Sequence, residues 1–190
     1  MINFIKRLFS NKNNQDNLKK EIDSYSYECL FAKFLDDELD RVDYFLLDKK
    51  EIILKHFKRE IDLNKSDNYL TKEEKEEIGI DKQIRVTKDL IQIFNLLKIK
   101  GEDPKELLSE LYYRIHFKIS KIKELKKLKV LGLNKVLLKS SKDERTCKWC
   151  LDIEKEIIDI TKVDLIKLID NNCKCKYNRS LISAKISIIN

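Results

Sequence analysis

Apolar residues recur at steps of three and four through most of this chain. From Leu18 the positions Ile22, Tyr25 and Cys29, and then from Phe31 the positions Leu35, Leu39, Val42 and Leu46, keep that step within each run, which predicts one long amphipathic helix ending near residue 47. Cys29 lies on the stripe and is expected to be buried as a free thiol, packing like a small hydrophobe. Asp48 with Glu51 has capping-box spacing ahead of Ile53, Phe57 and Ile61, a second helix with His56 on its exposed side. Thr71 with Glu74 repeats the spacing, and Ile80, Ile84, Ile91, Phe94 and Leu97 predict a third helix closed by Gly101. A fourth begins with Asp103 as cap and Pro104 at the first helical position, carries Leu108, Leu111, Ile115, Ile122 and Leu125, and stops at Gly132.

Beyond Gly132 the pattern changes. Val136 and Leu138 alternate within Lys135 to Ser140 and predict a strand there. Glu156 to Ile160 leans to β, Thr161 with Asp164 predicts the start of a short helix holding Leu165, Ile166 and Ile169, and Tyr177 to Ile189 supplies a last strand or helix. At the other end, Met1, Phe4, Ile5, Leu8 and Phe9 form a short amphipathic segment, followed by a polar linker, Ser10 to Asn17, with four Asn. So short a segment grips lipid weakly, and docking on protein is preferred to membrane contact. The expected fold class is mainly α with a small C-terminal α+β metal-stapled module. Its parts are residues 1–17 (amphipathic segment and linker), 18–103 (helical region) and 104–190 (long helix plus cysteine module).

Composition sharpens this picture. Three Gly and one Pro in 190 residues leave no glycine-rich phosphate loop. The net charge of +7 is unevenly placed, because residues 104–190 hold 20 Lys and Arg against 11 Asp and Glu. That half could attract nucleic acid, although lysines spread along helices also make an ordinary solvated face. No run reaches the roughly 18 apolar residues of a spanning helix, and the N-terminus lacks a signal-peptide pattern. A cytoplasmic protein is expected, or a virion component if phage-encoded.

Four of five cysteines form two tight pairs, Cys147-Lys-Trp-Cys150 and Cys173-Lys-Cys175, separated by 22 residues. Two thiolates converging from each of two turns can close a tetrahedron around Zn²⁺, with no open position for catalysis. Arg145, Lys148, Lys174 and Lys176 flank the ligands and would offset the negative charge of four thiolates. A disulfide or redox pair, or four free thiols, are the alternatives. Trp149 between the first ligands is read as a lid over the knuckle or, with less support, as a platform for a base. No nucleophile-plus-base spacing accompanies the two histidines, and His116 beside Tyr112 and Tyr113 reads as a structural residue.

The segment Leu131-Gly132-Leu133-Asn134-Lys135-Val136, then Asp143-Glu144-Arg145-Thr146-Cys147-Lys148-Trp149-Cys150, with Cys173-Lys174-Cys175 downstream, resembles the C-terminal domain of phage Mu F-like head-morphogenesis proteins over roughly residues 104–180. That pattern is D-x-R-x-C-x-x-C followed by H-P-x-C-R-C. Here Asn171-Asn172 stands for its His-Pro, Lys174 for its Arg, and no glycine follows the first pair. The resemblance implies a minor head protein, a structural component rather than an enzyme. The alternative is a nucleic-acid-binding zinc module using the basic half. Partners are expected to be a protein or a second copy engaging the N-terminal helices, whose long apolar stripe has few helices to cover it. Nucleic acid is a possible further partner.

Overall fold

A computed structural model describes residues 26–185. The amphipathic segment over residues 1–17 and the expected start of the first helix lie outside the described residues. The described residues form two compact units, one of residues 31–116 and the other of residues 26–30 together with 117–185.

The first unit is helical. Helix α1 (Tyr27–Arg41) is followed by a 3-10 turn at Leu47–Lys49 that runs into α2 (Lys50–Phe57), then α3 (Lys72–Glu77), α4 (Lys88–Ile91), a 3-10 turn at Leu96–Lys98 and the first half of α5 (Pro104–Val130). Helix α1 ends at Arg41 rather than near 47, because Phe45 leaves the helix to bridge Phe94 in an antiparallel pair. Their rings stack at 4.8 Å, with Leu46 N–H donating to Ile93 O and Asn95 N–H to Tyr44 O. The Asp48–Glu51 capping box does not form: α2 begins with no side-chain cap, and Arg59, in the left-handed region at φ 63°, turns the chain away before Ile61.

The expected third helix is also corrected. Thr71 and Glu74 do form a reciprocal capping box, but it starts the short α3. Beyond it Asp81, Thr87 and Asn95 each accept a backbone N–H with the side chain, at Gln83, Leu90 and Leu97. Such local acceptors restart the chain and compete with a continuous helix. The apolar steps across 80–97 therefore mark separate short turns, all facing one core. Thr87, fully buried, also donates its hydroxyl to Leu63 O. Lys75 spends its ammonium on loop carbonyls, Lys82 O at 2.5 Å and Ile84 O at 3.0 Å.

Leu35, Ile53, Leu90, Ile93, Ile99, Leu111 and Ile115 are essentially solvent-free and form this core. Phe31, Leu35 and Leu39 are buried within it, so the α1 stripe is not the uncovered face expected from its length. Cys29, expected on the buried side, is exposed. It lies in the first turn of α1, and its N–H is capped by the Ser26 hydroxyl at 3.1 Å.

The second unit hangs a small sheet on the second half of α5. The helix stops as its sequence demands: Gly132 takes φ 70°, its N–H reaches Lys129 O, and Leu133 N–H reaches Leu128 O at 2.9 Å. This pair of bonds satisfies the last carbonyls, and only glycine adopts the required φ without strain. Strand β1 (Lys135–Lys139) is the middle of an antiparallel sheet in the order β2-β1-β3, with β2 at Ile158–Asp159 and β3 at Leu181–Ala184. Register pairs Val136 with Ile158 and Ala184, and Leu138 with Ile182. Val136 and Leu138 point into a core completed by Leu128, Ile153, Ile160, Leu165 and Ile169. Helix α6 (Lys148–Ile153) lies between β1 and β2, and α7 (Leu165–Asn172) between β2 and β3. The cap of α7 is Asp164 alone, accepting Ile166 and Lys167 N–H at 3.1 Å. Thr161 instead donates to Asp159.

Among the described residues no helix is long and apolar enough to cross a membrane.

Candidate metal centre

Helix ends present the four paired cysteines. Cys147 is the N-cap of α6 and Cys150 falls in that helix's first turn, so both sulfurs project from one helix start. Cys173 is the C-cap of α7, where an extended backbone (φ −71°, ψ 127°) releases the chain and carries Cys175 to the same place. The sheet positions both helices on one core, so two segments 22 residues apart in sequence meet. All four Sγ atoms lie within 4.8 Å of one another, with Cys150 to Cys173 at 3.5 Å and Cys150 to Cys175 at 3.9 Å.

These distances bear on the chemistries left open by the sequence. A disulfide needs about 2.05 Å, and none of the five cysteines is so paired. Zinc–sulfur bonds of about 2.3 Å in a tetrahedron set sulfurs about 3.8 Å apart, a spacing that the 3.5 and 3.9 Å separations bracket and that the whole set, within 4.8 Å, approaches. The donor set fits a soft or borderline divalent cation.

Hydrogen bonds to the sulfurs support the same reading. Cys147 N–H points to Cys175 Sγ at 3.3 Å and Lys174 N–H to Cys147 Sγ at 3.4 Å, so each pair is stitched to the other through backbone. Asn178 adds a second layer, its Nδ2 donating to Cys150 Sγ at 3.2 Å and to Cys173 Sγ at 3.3 Å. Donors aimed at sulfur favour thiolate over thiol. The hydrogen bond from Cys150, joined by the Asn178 amide, brings Cys173 down to about 5. Burial raises Cys147, but the backbone N–H groups of Cys150 and Lys174 outweigh it and leave the thiol below its ordinary value. The contact with Cys173, then burial, pushes Cys150 upward, and burial lifts Cys175 to about 11. Four sulfurs this close cannot all ionise without a cation to hold them. Outer partners of metal ligands are typically worth about 10- to 100-fold in metal affinity. Asn178→Ala is therefore expected to raise the zinc dissociation constant by about that factor, read by competition with a chromophoric chelator.

Asp143 braces the first knuckle from outside. Its carboxylate takes a two-pronged bond from Arg179, at 2.6 Å from Nη1 and 2.5 Å from Nη2. It also accepts the Thr146 hydroxyl at 3.1 Å and Arg145 N–H at 3.2 Å. Arg179, followed by the Thr146 hydroxyl, holds the Asp143 carboxyl far below the usual carboxylate range. A carboxylate lowered in this way contributes stability above its unfolded value near 4, and loses it only as pH falls through the folded one. Between neutrality and about pH 4 the brace is therefore intact, so that with a metal bound acid would act at the sulfurs, where protons compete with metal. Acid unfolding of this unit above pH 4 is expected to track metal release, followed together by a zinc indicator and by Trp149 fluorescence. Unfolding that runs ahead of release would contradict the assignment.

The other residues singled out by sequence occupy different ground. Trp149 packs against the core of the unit rather than standing free as a stacking platform. Both histidines line a cleft of about 500 Å³ in the helical unit, with Phe57, Arg59, Ser109 and Tyr112. His56, expected on the exposed side, is half-buried and accepts Leu63 N–H on Nδ1 at 3.2 Å. His116 stacks on Tyr112 at 5.7 Å. Asn178 and Lys121 were not legible as parts of the site. An Asn-Arg pair three residues beyond the last cysteine is the only signal that could have pointed to Asn178 and Arg179. Compared with known protein families, curated proteins and solved structures, the chain matches none.

Proposed function

We propose that the unit from residue 117 onward is a structural zinc module, with Cys147, Cys150, Cys173 and Cys175 as its four ligands. The carrying observation is that two distant cysteine pairs bring four sulfurs within 4.8 Å, each pair held by N–H donors from the other segment or from Asn178. Zinc is favoured over other soft cations because a closed set of four thiolates leaves no position for a substrate, and Zn²⁺ has no geometric demand beyond the tetrahedron. The metal's contribution is to hold α6 and α7 against a core too small to be robust alone.

On this basis the chain is a phage- or prophage-type assembly protein similar to minor head proteins, binding rather than catalytic. The Asp143, Arg145, Cys147, Cys150, Cys173 and Cys175 pattern supports that reading. So does the use of Asp143 as a brace for the knuckle, which gives the pattern's acidic position a physical task. The partner is a protein or a second copy, and Leu47 and Leu97, on the two 3-10 turns flanking the Phe45–Phe94 bridge, are the most exposed large apolar side chains that the described part of the helical unit offers it. Portal and scaffold genes beside the coding sequence are the expected result. A neighbourhood of unrelated metabolic genes would contradict the assembly reading while leaving the zinc module standing.

The basic half supports a second reading, a zinc module for nucleic acid, since residues 104–190 carry nine more basic than acidic residues. The two separate in a salt series on a fluorescent oligonucleotide. Phosphate contacts give a steep loss of affinity with salt, whereas an assembly module shows no binding at about 0.15 M salt, the physiological condition.

A further inference from the structure

Lys121, on the second half of α5, is the anomaly of this unit: a lysine only 5% exposed. Its Nζ donates to the carbonyl of Asn178 at 2.6 Å and lies 5.5 Å from the Phe117 ring centre. Among the described residues it makes no ion pair. Burial works against its ammonium, and Asp170, whose charge favours it, is itself paired with Lys118 at 2.8 Å. A buried ammonium facing a neutral carbonyl and a ring is poorly compensated, and charged groups are seldom buried without a partner.

The compensation lies one residue further on. Asn178, whose carbonyl takes the Lys121 proton, turns its side-chain amide onto the sulfurs of Cys150 and Cys173. Four thiolates around a divalent cation carry a formal charge of −2, and that charge would sit directly behind Asn178. The lysines adjacent to the ligands in sequence cannot serve as well, since Lys148 and Lys174 are solvent-exposed and their charges are screened. A low-dielectric position makes Lys121, the one lysine buried in the described part of this unit, the effective cation.

We propose that Lys121 is the charge partner of an anionic tetrathiolate metal centre, a positioning residue that lowers the cost of holding four thiolates together. The inference rests on the zinc reading and adds to it. It explains why the long helix carries a lysine in a buried position, and it ties metal loading to α5 through a single residue, Asn178.

The test uses the full chain and zinc alone. Zinc dissociation constants are measured by chelator competition for wild type, Lys121→Met and Lys121→Gln, with thermal midpoints recorded in zinc and in EDTA. Glutamine keeps a donor for the Asn178 carbonyl but removes the charge. Both variants are expected to bind zinc about 10- to 100-fold more weakly. Their midpoints in EDTA should be no lower than wild type, because the cost of burying an ammonium has gone. Lys121→Arg, which keeps the charge, should stay closer to wild type than either. Unchanged zinc affinity in Met and Gln, or midpoints that fall equally with and without zinc, would overturn the charge role. Failure of the wild-type chain to bind zinc would be seen before any variant, and would remove the zinc reading together with this one.

Discussion

Chelation is expected to unfold the C-terminal unit while leaving the helical unit folded. Metal in comparable small cysteine sites contributes an apparent ~10–16 kcal/mol at neutral pH, more than the ~5–15 kcal/mol that stabilises a whole domain. The sheet has three short strands, one of only two residues, and the core around Val136 and Leu138 is a single small aliphatic cluster. Removing the metal leaves α6 and α7 without the link that joins their ends. In EDTA, Trp149 fluorescence should shift to the red, because that side chain packs on the unit's core. Most of the helical circular-dichroism signal should persist, since residues 31–116 contain none of the four ligands. Cys173→Ser should reproduce the effect without chelator. A Trp149 signal indifferent to chelation would mean that the fold stands without metal.

The second large effect is expected in the other unit. Leu35→Ala should destabilise the helical unit by about 2–5 kcal/mol, the range for deleting a large aliphatic side chain from a packed core. Leu35 is fully buried, in a core it shares with Ile53, Leu90 and Ile115. If the α1 stripe were a docking face for a partner, the isolated chain would tolerate the change within ~0.5 kcal/mol, as exposed sites do. Denaturant unfolding followed by circular dichroism distinguishes the two.

Parts of this architecture were legible because local chemistry alone decides them. Asp103-Pro104 and Gly132 delimit α5, and the alternation of Val136 and Leu138 marks β1, as the structure bears out. The two cysteine pairs announce themselves by spacing, and the fold brings all four together. What failed did so for tertiary reasons. The 80–97 region has helical spacing, yet side-chain caps at Asp81, Thr87 and Asn95 break it into turns that still face one core. Spacing reports which side chains face inward, but not whether the backbone between them is continuous. The apolar stripe of α1 suggested an uncovered face, yet Phe31, Leu35 and Leu39 are buried, with Phe31 packed against Phe57 of α2 and Tyr112 of α5, contacts between elements that spacing along one helix does not report. Cys29 was misplaced on the same stripe. Lys121 sits in a lysine-rich run, Lys118 to Lys129, where one buried residue is indistinguishable from its solvated neighbours. Only its depth in the fold singles it out.

The central claim is a metal-closed centre at Cys147, Cys150, Cys173 and Cys175, and native mass spectrometry of protein purified without chelator addresses it most directly. The account predicts a dominant species heavier than the chain by one zinc ion less the protons it displaces, reverting to the bare chain mass on acidification. A dominant species at the bare mass, or one lighter by the hydrogens lost in forming disulfides, would contradict it.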